Sequence, residues 1–340
     1  MEVTVVAGVD VSAESFAVTV IDHRDDTYYL GKVYANDIEG ITQCVSDIAA
    51  EGIDVNEAVF CLEHTGVYCE MLCFVLTQRG LTVALVDPEK VRRSADDPKH
   101  KDDLLDSVRI AEYGGIYNKR LTPWTPNDPL VDLIAQRLVV REQLVKQRTA
   151  LKNQRTVAQR KWIHDPVTLD MLETQIKHLK EQITALERSM LEVVQSSPVL
   201  AHGYRLLVSI PCVGFCTAMN LIVITRGFTA KRTYRRLAAY LGVAPRRRQS
   251  GTSFDMGNHS RGYGPSLMRK ALHMSARSAK RSVTHSRLYF ERKKAQGKNG
   301  RLIMNNLVNK QLRLICAVLN SGQPYNKNFV SIPPMLLTKP

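Results

Sequence analysis

The run Val3-Thr4-Val5-Val6-Ala7-Gly8-Val9-Asp10 reads as a strand buried on both sides. In an extended chain Val3, Val5, Ala7 and Val9 point one way and Thr4, Val6, Gly8 and Asp10 the other. Both sets are largely apolar, which suits the middle of a sheet covered by helices on each face. A single carboxylate, Asp10, stands at its end.

The following residues supply the rest of that sheet. Phe16, Val18 and Val20 alternate, so residues 15–21 form a second strand, and residues 28–33 a third; Asp25-Asp26 and the stretch 10–15 are hairpin turns. Ile38, Ile41, Val45, Ile48 and Ala49 have helical spacing over residues 38–50, which stop near Gly52. Residues 58–62 make a short buried strand ending on Glu63, residues 68–78 a helix closed by Gly80, and residues 82–86 a fifth strand. A polar loop is expected over residues 87–101, then a helix. Three strands, helix, strand, helix, strand, helix is the element order of the ribonuclease-H-like fold, shared by the resolvase RuvC.

The last of those helices opens with Lys101-Asp102-Asp103-Leu104-Leu105-Asp106-Ser107. Asp103 and Asp106 are three apart and share a helix face. Like charges this close repel and call for a cation, for which Mg²⁺, a hard ion that takes oxygen ligands, is the natural candidate. The competing reading is a solvated acidic first turn that suits the helix dipole. In the ribonuclease-H-like order, acids are expected at the end of the first strand, the end of the fourth and on a late helix. Those places hold Asp10, Glu63, Asp103 and Asp106. Carboxylates so grouped hold two Mg²⁺ ions roughly 4 Å apart, which clamp the attacking and leaving oxygens of a phosphodiester. Asp102 replaces Asp103 as ligand if the helix starts one residue off. His64 is either an assistant to this site or a surface histidine.

Composition narrows the partners. The 340 residues carry a net charge of +14, and 44% are hydrophobic. That excess of cations attracts polyanions, nucleic acid first. No apolar run reaches the ~18 residues a membrane span needs, and no signal peptide is evident. Seven cysteines, mostly in apolar surroundings, suggest reduced thiols in a cytosol. Their spacing gives no paired CxxC with histidines, so zinc is disfavoured.

Pro123, Trp124, Pro126 and Pro129 mark residues 122–129 as a linker. A very basic helix follows over about 130–162, with a thin apolar stripe of Ile134, Leu138 and Val145. Asp165-Pro166 is an N-cap followed by proline at the first helical position. The next helix carries a heptad seam: Leu172, Ile176, Leu179, Ile183, Leu186, Met190, Val193. The thin stripe opposite it points to oligomerisation through the seam; the competing reading is a hairpin within one chain. Arg137, Arg141, Lys146, Arg148, Lys152, Arg155, Arg160 and Lys161 form either a solvated surface or a nucleic-acid rail.

In the last third, Ile210-Pro211-Cys212-Val213-Gly214 resembles the turn of a helix-hairpin-helix, whose backbone N–H groups meet phosphate; a plain packing turn reads the same way. Residues 229–241 are expected as a helix with a cationic face (Lys231, Arg232, Arg235, Arg236). Arg246-Arg247-Arg248-Gln249-Ser250-Gly251 reads as a basic loop. Its serine is either ordinary or a nucleophile whose phosphate the arginines hold. Arg261-Gly262-Tyr263-Gly264-Pro265 leads into a basic helix to about residue 281, another spans 286–294, and a closing helix 301–319. The tail after Ser321 is expected to lack fixed structure.

Taken in order, Gly8-Val9-Asp10-Val11-Ser12, Glu63-His64-Thr65-Gly66, residues 101–111, Ser209-Ile210-Pro211 with Gly214, Leu241-Gly242-Val243-Ala244-Pro245 and Gln249-Ser250-Gly251 resemble the IS-one-ten group of bacterial insertion-sequence transposases, the DEDD enzymes also called bridge-RNA-guided recombinases. The similarity runs over roughly residues 3–320. The resemblance implies an α/β RuvC-like domain (1–121), a linker (122–129), a coiled coil (130–196), a mostly helical transposase domain with a catalytic serine (197–322) and a tail (323–340). It places the acids on Asp10, Glu63, Asp103 and Asp106 and the nucleophile on Ser250; nucleic-acid contacts are expected, from the basic character of these stretches, on Arg235, Arg236, Arg246, Arg247, Arg248 and Arg261. It implies Mg²⁺, a phosphoserine protein–DNA linkage, a guide RNA made by the element, a homo-oligomer (dimer or tetramer), and a bacterial cytoplasmic protein at the nucleoid. The sequence departs from the family in two places: the usual Lys-Thr-Asp is Lys101-Asp102-Asp103, and the usual alanine after the last aspartate is Ser107. A junction resolvase or nuclease without serine chemistry, and a scaffold with a decayed metal site, are the rival readings.

Overall fold

A computed structural model describes residues 4–94, 102–229, 233–250, 254–260, 262 and 264–328, with the backbone path alone for 246–250 and 254–259. The chain divides into two compact units, Met1–Pro126 and Asn127–Pro340.

The first unit is built on a five-stranded sheet of order β3-β2-β1-β4-β5, from β1 (Val5–Val11), β2 (Ser15–Asp22), β3 (Thr27–Ala35), β4 (Ala58–Glu63) and β5 (Thr82–Val86). β1–β2 and β2–β3 are antiparallel hairpins, whereas β1–β4 and β4–β5 are parallel. The parallel pairs need crossovers, which α1 (Ile38–Ala50) and α2 (Glu70–Gln78, entered by a short 3-10 turn) provide. This is the ribonuclease-H-like order. Val5, Ala7, Val9 and Val11 pack with Ile41, Ile48, Leu72 and Leu76 on one face. Val6, Val59, Cys61, Ile110 and Ala111 form a smaller core on the other, under α4 (Asp103–Ile116). β1 is therefore covered on both sides, as its composition requires.

The polar loop expected over 87–101 is corrected in part. Pro88–Ser94 is a helix, α3, because the Asp87 carboxylate accepts the Glu89 N–H at 3.0 Å and proline fits a first helical position. Residues 95–101 lie outside the described residues. The Trp124 N–H donates to Val83 O at 2.7 Å, and its ring packs on the first core, so residues 123–124 lie along the edge of β5.

In the second unit α5 (Pro129–Ala158) and α6 (Pro166–Ser196) form an antiparallel hairpin. Arg141 pairs with Glu187 at 2.6 Å and Arg155 with Glu173 at 3.6 Å, while Arg137 donates to Ser189 O at 2.8 Å. Ile176, Ile183 and Met190 of the seam are buried within this chain. The thin stripe on α5 is completed by arginine stems, which lie along apolar surface with their heads on α6. Arg137, Arg141 and Arg155 thus belong to the hairpin and not to a free basic face. The base of the hairpin (Val131, Ile134, Leu138, Met190, Val194) is buried with Leu200, Met219 and Ile222.

α7 (Pro198–Ser209), α8 (Phe215–Ile224), α9 (Tyr234–Tyr240), α10 (Ser266–Ser282), α11 (Thr284–Ala295) and α12 (Gly300–Ser321) complete the unit around a core that includes Leu207, Leu221, Met268, Leu272, Leu312 and Ile315. The helix expected over 229–241 is shorter: Thr233 caps α9, accepting the Arg236 N–H, and residues 230–232 lie outside the described residues. The expected basic loop at 246–250 is instead a strand, β6 (Pro245–Ser250), paired antiparallel with β7 (Phe254–Ser260). The start of the tail is also fixed. Tyr325 packs on the core and its N–H donates to Ser209 Oγ at 2.9 Å; residues 329–340 lie outside the described residues. No helix among the described residues is long and apolar enough to cross a membrane.

Candidate active site

β1 and β4 run side by side with Val9 opposite Leu62, so Asp10 and Glu63, the next residue on each, reach the same edge of the sheet. Glu63 also pairs with Val86 at the end of β5. By strand alternation Asp10 shares a face with Val6 and Gly8, and Glu63 with Cys61.

That face carries α4. A Cβ on Gly8 would lie 2.2 Å from Ser107 O and 2.3 Å from Ala111 N, and one on Gly114 would lie 2.7 Å from Val6 Cγ1 and 2.8 Å from Cys61 Sγ. The end of α4 therefore lies over Val6 and its middle over Gly8, so the helix runs against β1 and its first turn heads for Asp10. Two residues of strand span about 6.6 Å, equal to about four residues of helix. Stepping four back from the contacts at Gly8 reaches the turn of Asp103 and Asp106. Asp103 lies one turn before Ser107, on the stripe that faces the sheet.

Asp102 is taken by another task. As N-cap, its carboxylate accepts the Leu104 N–H at 3.0 Å, which leaves Asp103 as the first helical acid. Asp106 is turned into an ion pair with Arg109 at 2.7 Å. Asp10 and Glu63 are half-buried, Asp103 and His64 exposed. Among the described residues, no three Asp, Glu, His or Cys side chains converge closely enough to hold a metal ion. The four acids offer only carboxylate oxygens, a donor set that fits a hard divalent ion, and the Arg109 contact engages Oδ1 of Asp106.

Ser250 ends β6 opposite Phe254, before residues 251–253, which lie outside the described residues. Arg246 pairs with His259 and Arg247 with Asn258; the register shifts between Arg247 and Gln249, at Arg248. Arg261 lies outside the described residues, while Arg235 and Arg236 are exposed on α9. The turn at 210–214 is locked inward: Ser275 Oγ donates to Cys212 O at 2.7 Å and Gln311 Nε2 to Pro211 O at 2.9 Å.

Comparison with known proteins joins the two units. A DEDD transposase model matches residues 7–158, and the model for the "Transposase IS116/IS110/IS902 family" matches residues 204–291. The chain belongs to this transposase family. It is 26% identical over 328 residues to a pilin gene-inverting protein of Moraxella bovis, covering 94% of this chain and 97% of the relative. It is 31% identical over 162 residues to an uncharacterized 43.6 kDa protein of insertion element IS110 from Streptomyces coelicolor, covering 47% and 38% respectively. T. thermophilus RuvC in complex with a Holliday junction substrate matches 36% of this chain and 99% of its own at 12% identity, with a TM-score of 0.27. The fold assignment rests on the strand order and not on that likeness.

For this transposase, sequence reasoning named the acids but missed what seats their helix. Ser107 is buried, and its hydroxyl lies 2.7 Å from both Thr19 Oγ1 and Leu104 O. With one proton to give, Ser107 donates to Leu104 and accepts from Thr19. A glycine in an apolar strand (Gly8) and one in a helix (Gly114) were the available signals, since each marks close backbone approach.

Proposed function

We propose that this transposase is a site-specific DNA recombinase of an insertion element, in which Asp10, Glu63, Asp103 and Asp106 hold Mg²⁺, two ions per site, and Ser250 is the nucleophile. The observation that carries the reading is the convergence of three element ends, β1, β4 and the start of α4, each bearing carboxylates, on one edge of one sheet.

Bound there, Mg²⁺ supplies Lewis acidity and offsets charge on the phosphodiester. Ser250 Oγ forms a bond to phosphorus, the bond from phosphorus to one deoxyribose oxygen breaks, and that oxygen leaves with a proton. Because one phosphoester replaces another, attack by the hydroxyl of a second strand reseals the DNA and frees the serine. Arg246, Arg247 and Arg248 hold the phosphate, with Arg235, Arg236 and Arg261 along the nucleic acid. The acids and the serine act in a homo-oligomer, a dimer or tetramer, on donor and target DNA selected by an element-encoded RNA, at the bacterial nucleoid.

Ser250→Ala is expected to abolish the covalent protein–DNA adduct on a denaturing gel while duplex binding stays within about twofold. Cleavage that persists with free ends in this variant would replace the recombinase by a metal-dependent nuclease.

A further inference from the structure

Charge is divided very unevenly along this chain. From Val193 to Pro340 the only side-chain carboxylates are Asp255 and Glu291, against 25 lysines and arginines. Within that stretch α9, α11 and α12 bring several cations onto aromatic rings. Lys310 Nζ lies 3.8 Å from the centroid of the Tyr289 ring and Arg292 Cζ 5.8 Å from the same centroid. Arg313 lies 4.7 Å from the Tyr234 ring. That ring is itself fixed, because the Tyr234 hydroxyl donates to Asn309 Oδ1 at 2.8 Å and Asn309 Nδ2 donates to Val243 O at 2.9 Å.

We infer that the α11–α12 face centred on Lys310, Arg292 and Arg313 is a docking surface for the phosphodiester backbone of a DNA duplex. The inference rests on the reading of this chain as a nucleic-acid enzyme and adds a surface to it. None of Lys310, Arg292, Arg313 and Lys293 makes an ion pair with a described carboxylate, and Lys293 instead donates to Gln296 Oε1. Lys310 is held below the usual lysine range by partial burial and then by Arg292, Arg313 and Lys293, as crowded like charges require. A cluster with no carboxylate partner among the described residues is relieved by a polyanion. The rings select which part of the polyanion is read. Tyr289 already carries two cations and Tyr234 one, so base stacking is not what these faces offer. The cations are oriented by their rings and face solvent, which suits phosphates and implies no sequence preference.

The test is duplex binding by the full chain in EDTA, so that strand cleavage plays no part. The probes are two unrelated 30-base-pair DNA duplexes and one RNA duplex, titrated with salt. The triple variant Lys310→Gln/Arg292→Gln/Arg313→Gln is compared with Lys177→Gln/Lys180→Gln/Arg188→Gln on α6, which removes the same charge elsewhere. For each phosphate that is no longer neutralised, the slope of log K against log [salt] falls by about 0.9. The patch variant is expected to show a slope shallower by about 2 or more and affinity weaker by at least tenfold, equally on both DNA sequences. Weakening on the RNA duplex alone, with both DNA duplexes bound as by the control variant, overturns the assignment to DNA. A patch variant that matches the control variant on every probe overturns the proposal. Lys310→Arg, which keeps charge and ring contact, must retain wild-type binding; if its binding also weakens, packing and not charge is responsible, and the proposal fails. Because none of these measurements depends on Ser250 or metal, failure of the catalytic reading leaves their outcomes readable.

Discussion

Gly8 holds its place by what it lacks. Any side chain there meets backbone atoms of α4 at 2.2 and 2.3 Å, and backbone cannot swing aside as a flexible side chain can. Gly8→Ala is therefore expected to cost about 1–3 kcal/mol, the usual range for overpacking, and to displace the Asp103–Asp106 turn. Thermal unfolding and strand-cleavage assays should both register the change, and a variant with wild-type stability and cleavage would show that α4 is seated otherwise. Ser107 is the second element of this seat. Ser107→Ala strands the buried Thr19 hydroxyl, at about 1–3 kcal/mol. The double variant Ser107→Ala/Thr19→Val should recover part of that loss, since both polar partners are then gone; a purely additive result would deny the coupling.

Helices and strands are tied by a few ionised contacts whose pH behaviour is specific. Asp47 of α1 takes Lys32 Nζ at 2.6 Å and the Tyr34 hydroxyl at 2.9 Å from β3. Its carboxyl is held below the usual 3.8, first by Lys32, then by Gln43 and Tyr34. A depressed folded value means the contribution is fully present above about pH 4 and is lost as pH falls through the folded pKa. Asp47→Asn should thus lower Tm at pH 7, with the difference shrinking below pH 4; an equal difference at pH 3 and pH 7 would contradict the assignment. In the α5–α6 hairpin the apolar seam outweighs the ion pairs. Ile183 is 4% exposed, so Ile183→Ala should cost about 2–5 kcal/mol. The partly exposed Arg141–Glu187 pair should couple by no more than about 1 kcal/mol in a double-mutant cycle.

Across the whole molecule, charge is segregated between the units. Residues 1–126 hold 22 carboxylates against 11 lysines and arginines, and residues 127–340 hold 11 against 36. A polyanion is attracted by the second unit and repelled by the first unless cations intervene. Chelation of divalent ions should therefore leave duplex binding within about twofold while strand cleavage stops. Binding that collapses in EDTA would mean that metal at the acids, and not the basic unit, retains the DNA.

Element order, the position of Asp10 and Glu63 at strand ends, and most helix limits were legible in the sequence, because alternation, helical spacing and Asp-Pro caps are local signals. The same Asp-Pro signal at Asp87-Pro88 marks α3, although polar surroundings disguised it as a loop. The arginines of α5 concealed the hairpin, since a count of apolar residues omits the stems of long cations. Lone local patterns also failed at β6–β7, where Arg246-Arg247-Arg248-Gln249 carries no alternation of apolar and polar residues to mark a strand. What only the tertiary structure decided was the seat of α4 on Gly8, the diversion of Asp102 to a cap and Asp106 to Arg109, and the gathering of cations on Tyr289 and Tyr234. Local periodicity follows from chain geometry and is written residue by residue; these contacts join positions far apart in sequence or select among competing partners, and are settled only when elements pack.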